Sequence, residues 1–561
     1  MYHVLLTNRY LTTRVIPLIA VAAVALCVAL VIIVVSVMTG FLDMVKDSGR
    51  TLMGDVVVTY PVSGIPCYER LIERIEALPG ASSATAVVDG WGLLKMPYPS
   101  GRRKETETVQ FWAVEAESFA AVTGFEQTLY WRSPTAEERA SMGEEDFRLR
   151  LLEATGPGFL EYVYEQGLRL RFKPMGVAES EAMPGAALGM HVSIGNQRQR
   201  DGSYRPILGP EGYWWMPDYE VVLTALPVTS AATLPDPSSV RLHVVNEFVS
   251  GVFLIDDKRI IIPLEVGQEL LHLDRAALVD EEGEETGRFD PARATMVLVR
   301  AVEGVTPDAL REQVSEAYGL FRGELLADAA VASEVVPPAE GMGMMVQTWL
   351  QQQEQFIAPI EKERELMRVL FSIVYLVCAG LVLSIFWAIV YEKTRDIGIL
   401  RSVGASRLGI SLIFLRYGAI IGGVGSVVGL GLAFLIVRNI NAIHGAMGEA
   451  APRWLWVSML VLAGCGLVMM LWMTRRGLLL PVVIWGLAAL VLTGIGVALM
   501  FHKGTLIWDP SVYYFSEIPN HVDAVTAVTT MIGAVVFSVL GAFFPAAKAA
   551  DTDPVKALRY E

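Results

Sequence analysis

Six apolar runs stand out along the chain, at residues 15–42, 369–391, 408–437, 454–473, 478–501 and 524–547. The first holds no charged residue. As a helix rising ~1.5 Å per residue it reaches roughly 42 Å, beyond the ~30 Å hydrocarbon core of a bilayer. A cleaved signal peptide has a shorter apolar region that ends in a small-residue site, so 15–42 predicts a retained helix. The other five runs are each long enough to span. Between 43 and 368 the pattern changes to short alternating or β-branched stretches. GDVVVTY (54–60), EVVLTAL (220–226), SVRLHVV (239–245), RIIIPL (259–264) and TMVLVRAV (295–302) predict strands. CYERLIERIEALPG (67–80) sets Tyr68, Leu71, Ile72, Ile75 and Leu78 on one helical face and stops at Pro79-Gly80. TPDALREQVSEAYG (306–319) predicts a helix with Thr306 as its N-cap and Pro307 at its first position. Residues 345–368 predict a helix running into the second apolar run. The fold class is therefore an α-helical membrane protein with six predicted spans and a large mixed α/β domain between the first two.

Charge sharpens this division. Hydrophobic residues make up 53% of the chain, which points to a membrane class. Residues 43–368 carry 51 acidic and 30 basic side chains, net −21, while the rest carries 9 acidic and 15 basic, net +6. An acidic domain joined to a basic membrane part excludes nucleic acid as the natural partner. Basic residues flank the runs on one side: Arg9 and Arg14, then Lys393, Arg395, Arg401 and Arg407, then Arg475 and Arg476, then Lys548, Lys556 and Arg559. The positive-inside rule makes that side cytoplasmic, with both termini on it and the 43–368 domain outside. Three of the four cysteines, Cys27, Cys378 and Cys465, fall in apolar runs, leaving Cys67 alone in the soluble part; no disulfide framework follows.

Familiar catalytic patterns are missing. There is no G-x-x-x-x-G-K-[ST] phosphate loop, no H-E-x-x-H, no Cys/His cluster at metal-ligand spacing and no G-x-S-x-G elbow. GVGSVVG (423–429) lies inside an apolar run. There, Gly418/Gly422 and Gly425/Gly429, four apart, suit close helix packing better than phosphate binding. DEEGEE (280–285) reads as a solvated loop. No catalytic residue, metal site or cofactor is expected in this chain.

The charged stretch YEKTRDIGILRSVGAS (391–406) between two apolar runs is the most informative segment. A plain loop obeying the positive-inside rule explains its basic residues only. Glu392/Arg395 and Lys393/Asp396 are i,i+3 pairs that support a helix. Ile397, Leu400 and the stem of Arg401 share one face, and Gly404 is suited to end the helix. A short amphipathic helix carried by two spans can transmit force to or from a partner.

YEKTRDIGILRSVGAS resembles the cytoplasmic coupling segment of FtsX/MacB-type ABC transporter permeases, and FPAAKAADTDPVKALRYE (544–561) resembles the ending of the same superfamily. Within it, RYLTTR (9–14), SVMTGF (36–41), DVVVTYPVSGIPCYERLIERIEALPG (55–80), HVVNEFVSGVFLIDDKRIIIPLEVGQELL (243–271), TWLQQQEQFIAPIEKERELM (348–367) and DPSVYYFSEIP (509–519) are similar to the LolC/LolE lipoprotein-release permeases. The resemblance implies a non-catalytic subunit of the inner membrane that works as a homo- or heterodimer above two copies of a separate ATPase, which binds the ATP and Mg. ATPase closure would move the periplasmic domains through the coupling segment and release acylated lipoproteins to a soluble carrier. Glu392, Lys393, Arg395, Asp396, Ile397, Leu400 and Arg401 would form the ATPase-facing segment. By position, LPVTSAATLPDPSSV (226–240), with Leu226, Pro227, Leu234, Pro235 and Pro237, corresponds either to a carrier-binding loop or to an ordinary strand connection. The same machinery with another cargo (a drug, peptide or envelope lipid), or FtsX-like control of a cell-wall hydrolase, stays open.

The expected organisation is thus a cytoplasmic start (1–14), a span (15–42), the periplasmic domain (43–368), a span (369–391), the coupling segment (392–407), a span (408–437), an added hairpin (454–473 and 478–501), a last span (524–547) and a cytoplasmic tail (548–561). The hairpin departs from the four-span pattern, and either lateral packing or an accessory subunit would account for it. Two further stretches, about 128–180 and 195–218, have no counterpart in the resemblance. The second contains GPEGYWWMPDY (209–219), either a binding surface or a buried Trp pair. Arg416, about eight residues into its span, either snorkels to the interface or pairs inside the bundle.

Overall fold

The computed structural model describes residues 15–50, 52–97, 106–143, 146–174, 176, 182–193, 195–199, 203–209, 212–225, 237–279, 285–328, 336–448, 452–475, 479–501 and 518–553. Within these the chain divides into an α/β unit, 42–362, and a helical unit formed by 15–41 and 363–553. RYLTTR, most of DEEGEE and DPSVYYFSEIP, and the end of the tail lie outside the described residues.

The α/β unit is built on nine strands: β1 (Val56–Thr59), β2 (Ala81–Lys95), β3 (Thr106–Val114), β4 (Met183–Gly189), β5 (Glu220–Ala225), β6 (Ser238–Phe248), β7 (Arg259–Pro263), β8 (Met296–Ala301) and β9 (Met345–Thr348). Their order is β5-β6-β4-β7-β3-β2-β8-β1-β9, and β5 pairs again with β2, Ala225 opposite Gly92. That second pairing closes β5 through β2 into a barrel. The long strand β2 makes closure possible by serving two partners, β8 with its first half and β5 with its last residues. The switch falls at glycines: a Cβ on Gly90 would enter the Phe111 ring, and one on Gly92 would meet the Thr224 carbonyl at 2.7 Å.

The barrel is filled by inward-pointing residues, among them Leu94, Phe111, Leu188, Leu223, Leu242 and Ile260, with Leu270 packed against them from the helix that follows β7. Beyond the barrel, β8, β1 and β9 bury Val56, Val58, Val297 and Val299 against helices Tyr68–Glu76 and Pro307–Ala327. Thr306 caps the latter by accepting from the Ala309 amide at 3.4 Å. The strand and helix expectations in this unit match these elements, with one exception. Residues 345–348 form β9, paired to β1, rather than the start of a helix. There Thr348 closes a capping box with Gln351, and the long helix begins at Glu354.

The stretches without counterpart, about 128–180 and 195–218, fold together around a buried Trp131. Its ring meets Tyr130, Phe147 and Trp215 edge-on at 4.9, 5.9 and 5.7 Å. In GPEGYWWMPDY the Trp pair is turned inward: Trp215, Met216 and Pro217 are buried and half-buried Trp214 stacks on Tyr219 at 4.2 Å, while Gly212 and Tyr213 are exposed. Two neighbours on β6 tie this module to the barrel. Asn246 bonds the backbone of Trp131, and Glu247 accepts from Trp131 Nε1 and Asn196 Nδ2, each at 2.7 Å. Complete burial pushes the Glu247 carboxyl up to about 7.

In the helical unit every apolar run is covered by a helix: Val15–Arg50, Glu354–Glu392, Arg407–Arg438, Arg453–Arg475, Leu479–Phe501 and Ala524–Ala550. Among the described residues five helices are long and apolar enough to cross a membrane: all of these except Leu479–Phe501. Val24, Val28, Val382, Phe386, Ile410, Ile421, Ala542 and Ala546 share one core. The glycine pairs serve two different neighbours. A Cβ on Gly418 or Gly422 would meet Ala542 at 2.8 Å or Val535 at 2.9 Å, while one on Gly425 or Gly429 would meet Val24 at 2.8 Å or Ala25 at 2.6 Å. Close packing is the reason for the spacing. Helices Arg453–Arg475 and Leu479–Phe501 pack on each other, Gly466 against Ala489 and Gly496 against Leu460. Arg416 is exposed on the surface of the unit and makes no ion pair among the described residues.

Candidate functional site

The stretch at 391–406 folds as a short helix held between two long ones. The helix Glu354–Glu392 ends, Lys393 makes the bend, and Thr394–Ser402 follows as a separate helix. Lys393 Nζ reaches Asp396 Oδ2 at 2.9 Å across the first turn, one of the two i,i+3 pairs read from the sequence. Such a pair at a half-exposed site contributes only tenths of a kcal/mol, ~0.3–0.5. The C-terminus is fixed by backbone chemistry. Gly404 has φ +103°, and the amides of Gly404 and Ala405 bond the carbonyls of Arg401 and Leu400. This is a glycine-terminated Schellman turn. Two residues on, Ser406 accepts from the Gly409 amide at 3.1 Å and starts the next long helix. Both ends of the short helix are therefore set by defined turns.

Its two faces differ. Ile397, 3% exposed, is buried in the shared core of the bundle, with Gly398 beside it and Leu400 half-buried. Full burial of such a side chain is worth about 1.5–3 kcal/mol. Arg401 is half-buried and donates from Nη1 to the Ala550 carbonyl at 3.2 Å. Ala550 is the last residue of helix Ala524–Ala550. The last carbonyls of a helix have no partner within it and carry the negative end of its dipole, so a guanidinium fits there. Ser411 adds a bond to the Ala546 carbonyl at 3.2 Å. The short helix is thereby fastened to the end of the last helix.

The opposite face points outward. It holds Glu392, Arg395, Ile399 (46% exposed) and Val403 (83% exposed), with Leu408 (76% exposed) just beyond the turn. An exposed patch of three branched apolar residues beside charges suits a protein partner. Of the residues nominated from sequence, Glu392 and Arg395 are on this face, Lys393 and Asp396 are on its flank, and Ile397, Leu400 and Arg401 are turned toward the bundle. Ile399, Val403 and Leu408 were missed. The nine-residue helix is apolar on two sides, and its sequence alone does not say which side the bundle covers.

In the α/β unit, Leu226, Pro227, Leu234 and Pro235 lie outside the described residues. Pro237 is described and exposed. Ala225 pairs with Ser238, so residues 226–237 join the ends of an antiparallel pair at the rim of the barrel. Among the described residues no group of three or more His, Cys, Asp or Glu is placed to hold a metal ion.

Residues 368–482, which include all of 391–406, match the family described as FtsX-like permease C-terminal. The chain is 27% identical over 114 residues to the lipoprotein-releasing system transmembrane protein LolC of Neisseria meningitidis serogroup B, covering 20% of this chain and 28% of that protein. It is 23% identical over 217 residues to the LolC of Xylella fastidiosa strain 9a5c, covering 39% and 40%. With the LolC of Haemophilus influenzae it shares 25% identity over 166 residues, covering 29% and 41%. Each match spans less than half of the relative's length.

Proposed function

We infer that the chain is an FtsX/MacB-type permease, close to the LolC/LolE proteins, which its similarity to them supports. It is a multi-pass membrane protein of a family whose members are non-catalytic subunits of ABC transporters. On our reading it sits in the inner membrane with six spans, its termini cytoplasmic and its α/β unit periplasmic. A separate cytoplasmic ATPase, in two copies, binds ATP and Mg. A second permease subunit, a copy or a relative, completes the assembly.

The observation that carries this reading is the two-faced helix Thr394–Ser402. Its outward face offers Arg395, Ile399 and Val403 to the ATPase. Its inward face, through Ile397 and the Arg401 bond to Ala550, passes a push from that partner to the core and the last helix. A force-bearing element needs both a contact surface and a stiff attachment, and defined turns at Lys393 and Gly404 supply the stiffness. The α/β unit then moves as the mechanical output.

The cargo we propose is acylated lipoprotein, released from the inner membrane to a soluble carrier that the segment 226–240 engages. Relatives described as lipoprotein-releasing support this reading. The test is depletion of the protein in its host while palmitate-labelled lipoproteins are followed in separated membranes. Retention in the inner membrane is the expected result; normal sorting contradicts the cargo.

A further inference from the structure

Among the described residues, two segments join the α/β unit to the helical unit, one crossing at 41–42 and one at 362–363. The first is part of helix Val15–Arg50 and the second is part of helix Glu354–Glu392. The strands next to these helices are partners: Val56 of β1 pairs with Thr348 of β9. Asp55 lies between the first helix and β1, and it bonds to both sides.

Asp55 is 3% exposed, and each of its polar atoms faces a different element. Its amide donates to the Val299 carbonyl of β8 at 2.7 Å. Its carbonyl accepts from the amide of Trp349, the residue after β9, at 3.1 Å. Side-chain Oδ2 accepts from the Ala301 amide, at the end of β8, at 2.8 Å. Side-chain Oδ1 meets Arg50 Nη2 at 2.7 Å, an ion pair off the hydrogen-bond angle, and takes no hydrogen bond among the described residues. Arg50 is the last residue of helix Val15–Arg50.

The surroundings tighten this junction. A Cβ on Gly54 would meet the Val299 carbonyl at 2.6 Å, so the chain reaches Asp55 through a gap that only glycine fits. Gln353 Nε2 donates to Met53 Sδ at 3.2 Å. Lys46 Nζ bonds Glu361 Oε1 at 2.9 Å, a second tie between the same two helices. A buried carboxylate is costly unless it stays paired. Among the described residues the one ion pair of Asp55 is with Arg50. Drawing Arg50 away leaves that charge buried and unpaired, next to the bonds that hold Ala301 and Trp349.

We propose that Asp55 is a positioning residue that locks the two connections together, so that the end of helix Val15–Arg50 and the start of helix Glu354–Glu392 move as one body. Without such a lock each helix would tilt on its own, and a push would be lost in the connections. The use of the lock in force transmission rests on the permease reading; the lock itself does not.

The test is hydrogen exchange, read by mass spectrometry, on the full-length protein in nanodiscs. Arg50→Gln changes an exposed side chain on the first connection only. Peptides from 50–58 should exchange about fivefold faster, the scale of losing a partly screened ion pair. Peptides from 345–356, on the other connection, should quicken by a similar factor. Peptides from 106–114 should stay unchanged and report an intact barrel. Arg50→Lys keeps the cation and should restore most of the protection at both connections. Three results overturn the proposal: quickening confined to 50–58, quickening at neither connection, and quickening that spreads to 106–114. The first would make the ion pair a local cap, and the third would make it part of the general fold. In the complex purified from the host, ATP with vanadate should alter exchange at 50–58 and 345–356 together in the unchanged protein. In Arg50→Gln the two should respond separately; a joint response there also overturns the lock. No response in the unchanged complex would contradict the permease reading, while the nanodisc measurement still decides the lock.

Discussion

The Arg401 guanidinium donates to the carbonyl of Ala550 across 3.2 Å and joins the helix Thr394–Ser402 to the end of the last long helix. The two residues are 149 positions apart in sequence. The bond fastens this charged segment to the helix Ala524–Ala550, as the proposed force transmission requires. Arg401→Ala should leave the protein folded and its partner bound, because the outward face is untouched, yet weaken transmission. A charge-assisted bond of this kind is worth about 1.5–3 kcal/mol. The expected readout is reduced stimulation of ATP hydrolysis at unchanged ATPase association, with partial rescue by Arg401→Lys. Unchanged stimulation in the alanine variant would show that the latch carries no force.

The glycine pairs give a sharper test of packing. Gly425→Ala puts a methyl 2.8 Å from Val24, whereas Gly423→Ala meets nothing within 4 Å. Overpacking costs about 1–3 kcal/mol. Thermal melts of the detergent-solubilised protein should show a lowered midpoint for Gly425→Ala and none for Gly423→Ala. Equal midpoints would contradict the contact between helices Val15–Arg50 and Arg407–Arg438.

Cys27 and Cys378 sit on different helices and pack in the same core. Mild oxidation with copper phenanthroline should join them within one chain. Mass spectrometry of the digested protein would detect the linked peptides, and Cys378→Ala would abolish them. If the linked peptides never form under oxidation, those two helices are not packed in this register.

Glu247 predicts a pH dependence. Its folded-state pKa is raised from 4.5 to about 7 by burial, so the folded protein holds a proton that the unfolded chain gives up. The stability tied to that proton is present in full below about pH 4.5 and is lost as pH rises through about 7. The amount is on the order of 3 kcal/mol, at 1.36 kcal/mol per unit. Asp256, also raised to about 7, has the same sign. Thermal midpoints should therefore fall between pH 5 and pH 8, and Glu247→Gln should flatten part of that slope. A Gln there also offers a donor to Asn196 Oδ1, which is buried and has no hydrogen-bond partner among the described residues. A slope as steep in Glu247→Gln as in the unchanged protein would contradict the assignment.

Much of this was legible in the sequence because it follows from local periodicity. The apolar runs, the Val-rich strand at 56–59, the cap at Thr306 and the terminator Gly404 each depend on a few neighbours in the chain. Barrel closure was not legible, since it rests on β2 changing partners at Gly90 and Gly92. Residues 345–348 joined a sheet edge 286 to 292 positions away in sequence, at Val56–Thr59, which no helical periodicity reveals. The Trp pair of 214–215 could be read as surface or core until Trp131 supplied the second half of the cluster. In the coupling helix the inward face was visible as a stripe, but its direction was set by the bundle.

The most direct test of the account places a photo-crosslinking residue at position 403 and, separately, at 397, in the full-length protein in its host. The outward face predicts that position 403 traps a protein carrying an ATP-binding phosphate loop, identified by mass spectrometry, while position 397 yields only crosslinks within the chain. A phosphate-loop ATPase captured at 397, or none at 403, would contradict the claim that Thr394–Ser402 meets its ATPase with the Arg395–Ile399–Val403 face.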